Sequence, residues 1–481
     1  MNDYTILPFS FERTQSGDVI AVNECGDFIF LSEDDFDLFV RHKLSKDSKA
    51  FYNLKSHLFL AESEIDISIQ KIATRLRTKK SFLRDFTMLH MLVITLRCNQ
   101  KCEYCQVSCA DEDAYKYDMN SETAKKVIDI ILQSPTKCPK IEFQGGEPLL
   151  NWDVVKSTVI YAEEQAKEKD KNVSFVICTN LTSITEEHLE FCKEHRIYIS
   201  TSIDGNKTLH DKCRKTKQGS GTYDTVLKKL ELSRRILGHD MVSALMTTSA
   251  YSLEHLKDVI DEYISLGIDG IFLRSLNPYG FAAEQADTLG YPMEKFVEKY
   301  LEALKYIIEI NKKIYFPEFF ATLLFSRILT PFSTGFVDLQ SPSGAGISGA
   351  IYDFDGSVFP ADEARMLARM GDRHFCLGNV LTDSFKEIFG GEKLRKLTAV
   401  ACVETTPSCA YCGYQAFCGC DPIRNYLETG NELRTMAGSP FCTKHKGILE
   451  GLFEILRNAD EMTEDIIWSW ITRNPKQVKR I

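Results

Sequence analysis

Short apolar runs and amphipathic helical patterns alternate through the middle of the chain. Strand-like apolar runs occupy six segments, 91–96, 140–144, 173–178, 197–203, 241–247 and 270–274. Helical periodicity of apolar residues occupies six others, 121–133, 152–168, 185–195, 223–237, 252–266 and 293–311. This alternation predicts an α/β fold of six βα units with a parallel sheet, either doubly wound or closed as a barrel. Functional loops then lie at the carboxyl ends of the strands.

The residues before this region follow another pattern. Strand-like runs at 19–22 and 27–31 predict a hairpin, and Ser32 can cap the helix that follows it. Further helical patterns cover 48–60 and 66–77. A hairpin followed by helices predicts a small winged-helix-like module.

Regular periodicity ends near residue 311, where Gly, Pro and Cys become frequent. Asp355-Gly356 lies between apolar runs and predicts a hairpin over 351–359. Helical patterns return at 447–458 and 464–472. The sequence thus predicts an N-terminal module, an α/β core, a cysteine-rich region and a helical tail, at 1–87, 88–311, 312–446 and 447–481.

The composition excludes several classes of protein. Apolar residues make up 44% and charged residues 26%, as in an ordinary globular protein. The formal net charge of −10 argues against binding to nucleic-acid phosphates. The stretch from Met1 to Gln15 has no apolar core of a signal peptide, and the apolar run at 88–96 is shorter than the ~20 residues of a membrane span. We therefore expect a cytoplasmic protein with no nucleic-acid partner and no membrane association.

Cysteine is the unusual residue, because the chain has 16 and many are clustered. Disulfide scaffolds are short, secreted and loop-rich, and this chain has none of these features. In a reducing compartment, clustered cysteines more often bind metal or take part in catalysis.

The first cluster follows the first predicted strand, with Cys98, Cys102 and Cys105 spaced as Cys-x3-Cys-x2-Cys. Three thiolates on one loop can each hold one iron of a [4Fe-4S] cluster and leave the fourth iron open for a substrate or cosubstrate. A structural zinc site completed by Cys109 is the alternative.

Polar residues follow the later strands. Gly145-Gly146-Glu147 allows close approach of a ligand to the backbone and supplies a partner for an ammonium group, although alone it also suits an ordinary turn. Asn180 suits a ribose, Ser202 lies at the end of the fourth strand, and Arg214 offers a fork for a carboxylate. This set of partners describes a ligand such as S-adenosylmethionine.

These motifs resemble the radical S-adenosylmethionine (radical SAM) superfamily over about 88–446. Ser202-Ile-Asp-Gly205, His210-Asp-x2-Arg214 and Gly219-x-Gly-Thr-Tyr223 resemble its peptide and protein maturases, which include the anaerobic sulfatase-maturating enzymes. The resemblance implies a partial (βα)6 TIM-like barrel. It also implies that a [4Fe-4S] cluster cleaves S-adenosylmethionine reductively to methionine and a 5′-deoxyadenosyl radical, which abstracts hydrogen from the substrate. A low-potential donor such as flavodoxin or ferredoxin would supply the electron.

The resemblance also implies roles for individual residues. By motif, Glu147 meets the methionine amino group, while Ser202 and Arg214 help to place the carboxylate and the ribose. Tyr104 resembles the aromatic residue near the adenine, with ordinary packing as the alternative. Asn180 is followed by Leu181, where this branch usually has Gly.

The second cluster is Cys409-x2-Cys412-x5-Cys418 followed by Cys442. It resembles the SPASM extension of these maturases, in which this set carries one auxiliary [4Fe-4S] cluster. Zinc is the alternative on spacing alone. The cysteines of a second auxiliary cluster are missing, since Ala361 and Pro422 stand at two of their positions. Three other cysteines have no assigned role, namely Cys376, Cys402 and Cys420.

Asp362 directly follows the position of the missing hairpin cysteine. In sulfatase-maturating enzymes an Asp at this place acts as a general base, so the resemblance implies that Asp362 is a candidate base or substrate-positioning group. The alternative is a salt bridge with Arg365.

A closer resemblance suggests the substrate. The segments at 7–11, 361–367, 377–380 and 418–422 resemble the His-Xaa-Ser-system radical SAM maturases. This implies a ribosomally made precursor peptide whose leader adds a strand to the N-terminal module, and an intramolecular side-chain crosslink as the product. One alternative is oxidation of a Cys or Ser to formylglycine in a sulfatase-like protein. Another is a zinc- or cluster-stabilised peptide-binding protein without catalysis.

Overall fold

The computed structural model describes residues 4–14, 17–63, 65–433, 436–475 and 479–480. The stretch from Met1 to Gln15, in which no signal peptide was found, is described only in part. Residues 1–3 and 15 lie outside the described residues. The chain forms two compact units, each built from segments distant in sequence. One unit combines Met1–Leu83, Ala321–Gly344 and Ala399–Asn474, and the other combines Arg84–Phe320, Ala345–Thr398 and Pro475–Ile481. The predicted four-part division of the chain stays a prediction.

The strands in the described part of the chain are β1 (Thr5–Ile6), β2 (Phe9–Arg13), β3 (Val19–Asn23), β4 (Phe28–Leu31), β5 (Leu60–Ala61), β6 (Leu89–Thr95), β7 (Lys140–Gly145), β8 (Ser174–Cys178), β9 (Tyr198–Ser202), β10 (Val242–Leu245), β11 (Ile314–Tyr315), β12 (Gly349–Tyr352), β13 (Ser357–Phe359), β14 (Gly378–Asn379) and β15 (Lys479–Arg480).

The α-helices in the same part are α1 (Glu33–Val40), α2 (Lys49–Ser56), α3 (Ile65–Lys79), α4 (Ser121–Ile131), α5 (Trp152–Glu168), α6 (Glu186–Glu194), α7 (Lys207–Cys213), α8 (Tyr223–Leu237), α9 (Leu256–Ser265), α10 (Gly280–Glu284), α11 (Ala286–Leu289), α12 (Met293–Asn311), α13 (Phe319–Leu329), α14 (Asp362–Arg369), α15 (Phe385–Gly390), α16 (Glu392–Val400), α17 (Pro422–Thr429), α18 (Pro440–Arg457) and α19 (Glu461–Thr472).

The second unit is built on an eight-stranded, mostly parallel sheet. Its strand order is β10-β9-β8-β7-β6-β12-β13-β14, and β6 to β10 pair in parallel. Helices connect these strands, as the alternating pattern predicts. The first five predicted strands and the intervening helices are confirmed to within a few residues, because strands buried on both faces and amphipathic helices leave distinct periodicities.

The sixth predicted strand, 270–274, is wrong as a regular strand. Its backbone is shared between two partners: Ile271 pairs with the segment around Glu318, and the carbonyl of Arg274 accepts from the Thr248 N–H at 2.8 Å. A carboxylate oxygen of Glu318 also takes the N–H of Leu273 at 2.9 Å, in place of a strand partner. Only isolated bridges form there.

The predicted hairpin at 351–359 is confirmed as β12 and β13, with Ile351 opposite Phe359. Gly356 has a φ of +82° in the turn, which suits glycine. The hairpin also has a role that the cysteine-rich pattern did not predict. β12 pairs in parallel with β6 and extends the sheet of the second unit.

The N-terminal segment of the first unit has a three-stranded antiparallel sheet in the order β2-β3-β4, followed by three helices. The hairpin of β3 and β4 was predicted, whereas β2 was not. Ser32 caps α1 as predicted, since its side chain accepts the N–H of Asp35 at 3.1 Å. Val19, Phe36 and Phe39 lie in the core of this segment. Its winged-helix-like character stays a prediction.

Among the described residues, no helix combines the length and the apolar composition that a membrane crossing requires.

Candidate active site

A cavity of about 280 Å³ lies at the carboxyl ends of β6 to β10. Its walls come from the loops that directly follow these strands. The predicted site residues that line it are Cys98, Cys102, Tyr104, Cys105, Gly145, Gly146, Asn180, Ser202, Arg214 and Asp362. The structure therefore brings together ten of the residues that were selected from separate motifs.

Backbone hydrogen bonds hold the first cysteine loop in this position. The N–H of Lys101 donates to the carbonyl of Lys215 at 2.8 Å, and that of Glu103 donates to the carbonyl of Cys213 at 3.0 Å. On the other side, the carbonyl of Cys105 accepts the N–H of Phe281 at 2.9 Å. The loop is thus fixed at both edges while its three thiols line the cavity.

Cys109 lines the same cavity. Its thiol donates to the carbonyl of Gln100 at 3.8 Å, and the nearby thiols of Cys105 and Cys98 affect its pKa. The structure therefore places a fourth thiol beside the predicted triplet.

The glycine pair is required by close packing against the cysteine loop. A Cβ on Gly145 would lie 2.0 Å from the carbonyl oxygen of Thr95, and one on Gly146 would lie 2.2 Å from that of Arg97. These carbonyls also accept the N–H groups of Gly146 and Glu147 at 2.8 and 2.7 Å. The absence of side chains thus lets the β7 turn dock on the start of the loop that carries the cysteines.

Glu147 is fully buried and is not among the residues that line the cavity. Its carboxylate accepts the Thr179 hydroxyl at 2.7 Å and the N–H groups of Asn180 and Leu149 at 2.8 and 3.2 Å. Burial raises its pKa to about 7, although these hydrogen bonds act in the opposite direction. Glu147 therefore ties the β7 loop to the β8 loop, and its predicted contact with an ammonium group stays a prediction.

Asn180 connects the β8 loop to the first cysteine loop. Its Nδ2 donates to Oδ1 of Asn99 at 2.9 Å and lies 3.9 Å from Sγ of Cys98. Leu181, which replaces the usual Gly, has a φ of +63° and is fully buried. The loop keeps the left-handed conformation that favours glycine, although a leucine occupies it.

Arg214 and Tyr104 converge on Asp204 at the end of β9. Nε of Arg214 lies 2.8 Å from Oδ2 of Asp204, and the Tyr104 hydroxyl donates to the same oxygen. The guanidinium lies 5.2 Å from the centre of the Tyr104 ring, and its Nη1 lies 4.0 Å from Sγ of Cys102. Arg214 is therefore directed at the cysteine loop by a buried carboxylate.

The remaining motif residues support this arrangement. His210 Nδ1 accepts the N–H of Asp204 at 3.4 Å, and its Nε2 lies 3.1 Å from the Thr222 hydroxyl. Asp211 accepts the N–H of Tyr223 at 2.8 Å. Burial lowers the pKa of His210 to about 4, which keeps the ring neutral at pH 7. The His-Asp and Gly-Thr-Tyr motifs thus support Asp204, the residue that holds Arg214 in place.

Asp362 is the first residue of α14 and lines the cavity that the cysteines line. Its Oδ1 also accepts from Nε of Arg365 at 3.0 Å, and the Arg365 side chain is 1% exposed. The structure therefore combines the two interpretations of this residue: it forms a salt bridge and it faces the cavity.

Several lining residues were not predicted. Glu142 and Gln144 on β7 alternate with the buried Ile141 and Phe143, and the Cys178 thiol donates to Glu142 at 3.3 Å. The sequence feature that could have identified them is the alternation of polar and apolar residues along β7, which predicts a polar inner face for this strand. Other unpredicted lining residues are Thr247, Arg274 and Met366.

The second cysteine set forms a separate site in the first unit. Cys409, Cys412, Cys418 and Cys442 line a cavity of about 40 Å³ with mainly apolar neighbours, among them Phe441. Cys442 lies in the first turn of α18, where its N–H donates to the cap residue Ser439 at 3.1 Å. Burial raises the pKa of Cys412 to about 11 and that of Cys418 to about 12.

The three unassigned cysteines do not line this cavity, although the cluster that holds Cys420 packs against Cys409. Cys420 is buried in a small apolar cluster with Ala401 and Val403, as a small hydrophobic residue would be. Cys402 belongs to the same unit, and Cys376 belongs to the other.

The donor chemistry of both sites fits iron–sulfur clusters. Each site offers three or four thiols, and thiolates are the ligands that hold such clusters. The first site offers three predicted ligands in a cavity that also has room for a small molecule beside them.

Known proteins match both the sequence and the fold. The family model of the radical SAM superfamily matches residues 92–263. The cysteine-type anaerobic sulfatase-maturating enzyme of Clostridium perfringens is 23% identical over 75% of this chain and 95% of its own length. The chain matches other curated relatives over a smaller part of their own length: 64% of an uncharacterized protein of Methanocaldococcus jannaschii, and 41% of the radical SAM cyclopropyl synthase TigE of Paramaledivibacter caminithermalis.

Two solved structures share the fold. Native anSMEcpe with bound AdoMet superimposes with a TM-score of 0.65 and 20% identity, covering 79% of this chain and 100% of that one. Streptococcus suis SuiB bound to its precursor peptide SuiA gives a TM-score of 0.54 and 14% identity, covering 91% and 99%. These two structures show a shared fold. The family match over residues 92–263 and the sequence similarity, together with the cysteine loop at the carboxyl end of β6, identify an enzyme of the radical SAM superfamily that is homologous to the anaerobic sulfatase-maturating enzymes.

Proposed function

We propose that this enzyme is a peptide maturase that abstracts hydrogen from a ribosomally made precursor peptide and installs an intramolecular side-chain crosslink. One observation carries the proposal: three clustered thiols, the directed guanidinium of Arg214 and the carboxylate of Asp362 line a single cavity. The cavity therefore offers places for a cluster, a cosubstrate and a reacting side chain together.

Cys98, Cys102 and Cys105 would hold the [4Fe-4S] cluster in this cavity. When bound, the cluster and S-adenosylmethionine together supply the 5′-deoxyadenosyl radical. The chain contributes the surroundings: the Nη groups of Arg214, whose Nε is bound by Asp204, would meet a carboxylate, and Tyr104 presents a ring whose hydroxyl donates to Asp204. The adenine would therefore pack on the face of the Tyr104 ring.

Ser202 and Asn180 also line this cavity. Their short polar side chains suit the ribose hydroxyls. The peptide backbone at Gly145 and Gly146 also lines the cavity, and a backbone carbonyl there would suit the methionine amino group, beside the predicted partner Glu147.

Asp362 would receive the proton that the peptide releases. Crosslinking removes two hydrogens from the peptide: one goes to the adenosyl group as an atom, and the other leaves as a proton and an electron. Asp362 is held by Arg365 and faces the cavity, so it can accept a proton there. An auxiliary [4Fe-4S] cluster on Cys409, Cys412, Cys418 and Cys442 would supply the acceptor for the electron.

The N-terminal sheet would recognise the leader of the precursor. In the described part of the chain it has only three strands, with β2 and β4 as its edges, and a peptide can add to such an edge by backbone hydrogen bonds. SuiB, which shares the fold, has been solved with a precursor peptide, and this supports a peptide substrate. A low-potential donor such as flavodoxin or ferredoxin would reduce the first cluster.

Oxidation of a protein Cys or Ser to formylglycine is the second candidate. It is favoured by the cavity-facing position of Asp362 and by the extent of the similarity to the sulfatase-maturating enzyme. The two reactions differ in their products, because a formylglycine carries an aldehyde that reacts with hydrazides.

Anaerobic co-expression with a candidate precursor peptide tests the proposal. We expect mass spectrometry to show the loss of two hydrogens and fragmentation blocked between two joined residues. The Cys105→Ala variant should leave the peptide unchanged, whereas Cys138→Ala, at an exposed cysteine, should modify it fully. A peptide whose mass is unchanged in H2O but which gains deuterium when the reaction runs in D2O would contradict crosslinking and indicate epimerisation.

A further inference from the structure

Arg327 binds the loop that carries Cys418 by hydrogen bonds to its backbone. Arg327 lies in α13, and its Nε donates to the carbonyl of Phe417 at 3.0 Å. Its Nη2 lies 3.2 Å from the carbonyl oxygen of Ala416 and 3.3 Å from that of Cys418. One guanidinium thus binds three consecutive carbonyls that end at a cysteine of the second set.

No carboxylate neutralises this guanidinium directly. Within the described residues, Arg327 forms no salt bridge at 4.0 Å or less, and its polar contacts are to backbone oxygens. A part-buried cation held only by dipoles leaves a positive field at the loop it binds.

A second cation reinforces the field. Nζ of Lys79, at the end of α3, donates to the carbonyl of Arg327 at 3.1 Å and lies 5.2 Å from the centre of the Phe417 ring. Both cations line a cavity of about 90 Å³ that Cys418 also lines.

The other charged groups around this cavity do not cancel that field. Lys80 forms an ion pair with Glu404, whose second oxygen accepts from the Ser341 hydroxyl. Glu24 lines the cavity from an exposed position. With Lys80 paired to Glu404 and a negative charge on Glu24, the groups that line the cavity still carry an excess of one positive charge, and Arg327 is the cation bonded directly to the Cys418 loop. Burial lowers the pKa of Lys79 to about 8, so Lys79 keeps most of its charge at pH 7.

We propose that Arg327 is a positioning residue of the auxiliary cluster, which holds the Cys418 loop and stabilises the reduced cluster by its charge. The inference rests on the proposed auxiliary cluster. Reduction adds one electron to a group whose thiolate ligands are already negative, and a fixed cation at the ligand loop favours that state. The chain would thereby make this cluster a better acceptor for the electron that crosslinking releases.

The effect is measured in a full-length background without the first cluster. Cys98→Ala/Cys102→Ala/Cys105→Ala leaves the second cysteine set as the remaining cluster site, and EPR-monitored potentiometry reports its midpoint potential. Arg327→Gln should move the potential to a more negative value, whereas Arg327→Lys, which keeps the charge, should shift it less. Arg41→Gln, at an exposed cation paired with Asp37 in the same unit, is the matched control and should leave it unchanged.

The outcomes separate this inference from the proposed function. No iron in the background variant overturns the auxiliary cluster and the assignment of Arg327 with it. An intact cluster with the same potential in Arg327→Gln, or equal shifts in the Gln and Lys variants, overturns the assignment of Arg327 alone. If Arg327→Gln assembles no cluster, the midpoint potential of Lys79→Gln is measured instead. A shift to a more negative potential supports the charge effect, and an unchanged potential contradicts it.

Discussion

Nε of Arg214 lies 2.8 Å from Oδ2 of Asp204, in an ion pair whose side chains are 11% and 3% exposed. The other oxygen of Asp204 accepts the N–H of Thr247 at 3.2 Å. The pair therefore joins the ends of β9 and β10 and aims the guanidinium at the cysteine loop. Removal of one partner leaves an isolated charge in the wall of the cavity.

Breaking this pair should destabilise the protein. For Asp204→Asn we expect a loss of about 3–5 kcal/mol in the free energy of unfolding by urea, because a buried guanidinium loses its partner. Lys137→Gln is the control, since Lys137 and Asp170 form an exposed pair with side chains 70% and 97% exposed, and it should cost at most about 1 kcal/mol. Equal losses in the two variants would contradict this account of the pair.

Glu147 should make stability depend on pH. Burial raises its pKa from 4.5 to about 7. Between these values the unfolded chain releases the proton that the folded chain keeps, so stability falls as pH rises from about 4.5 to 7, by about 3 kcal/mol in total. Above pH 7 both states are ionised and the dependence ends.

Urea denaturation at a series of pH values measures this effect. Glu147→Gln should remove the step between pH 4.5 and 7, whatever its offset in overall stability. Glu194→Gln, at an exposed carboxylate on α6, should keep the step. A wild-type profile parallel to that of Glu147→Gln would show that Glu147 does not titrate in this range.

The iron content of cysteine variants tests the three-ligand assignment. Reconstituted wild-type protein should hold about eight iron atoms per chain if both clusters form. Cys105→Ala should lose about four of them, because one of three ligands is gone, while Cys109→Ala and the exposed-site control Cys138→Ala should keep all. The same loss in Cys109→Ala would mean a closed four-thiol site, and stoichiometric zinc without iron would exclude radical chemistry.

Asp362 should act on the peptide and not on the cosubstrate. We expect Asp362→Asn to slow peptide modification by about 10²-fold, the lower range for a general base, while 5′-deoxyadenosine still forms. Glu363→Gln, at the neighbouring carboxylate of α14, is the control and should modify the peptide at the normal rate. Loss of both products in Asp362→Asn would instead place Asp362 at the cosubstrate.

The periodic elements could be predicted from the sequence for a physical reason. The strand at 140–144 and the helix at 152–168 bury one or both faces, so their apolar spacing is set by local geometry. The segment at 270–274 is equally apolar, but its backbone partners lie near Thr248 and Glu318. Partners that are distant in sequence leave no local signal, and the strand prediction failed there.

The same distinction applies to the site. Cysteine spacing predicted both groups of thiols because three cysteines of each group lie on one short stretch of chain. The partners of Glu147 could not be predicted, because Thr179 and Asn180 come from the next βα unit. The inward orientation of Glu142 beside Cys178 likewise depends on the pairing of β7 with β8.

Transfer of deuterium from the peptide to the cosubstrate tests the central claim most directly. The precursor peptide, deuterated in its side chains, is incubated anaerobically with the reduced enzyme and S-adenosylmethionine, and both products are analysed by mass spectrometry. The account predicts 5′-deoxyadenosine carrying one deuterium, in equal amount to a peptide that has lost two hydrogen isotopes, with neither product formed by Cys105→Ala. Unlabelled 5′-deoxyadenosine beside an unchanged peptide would contradict it.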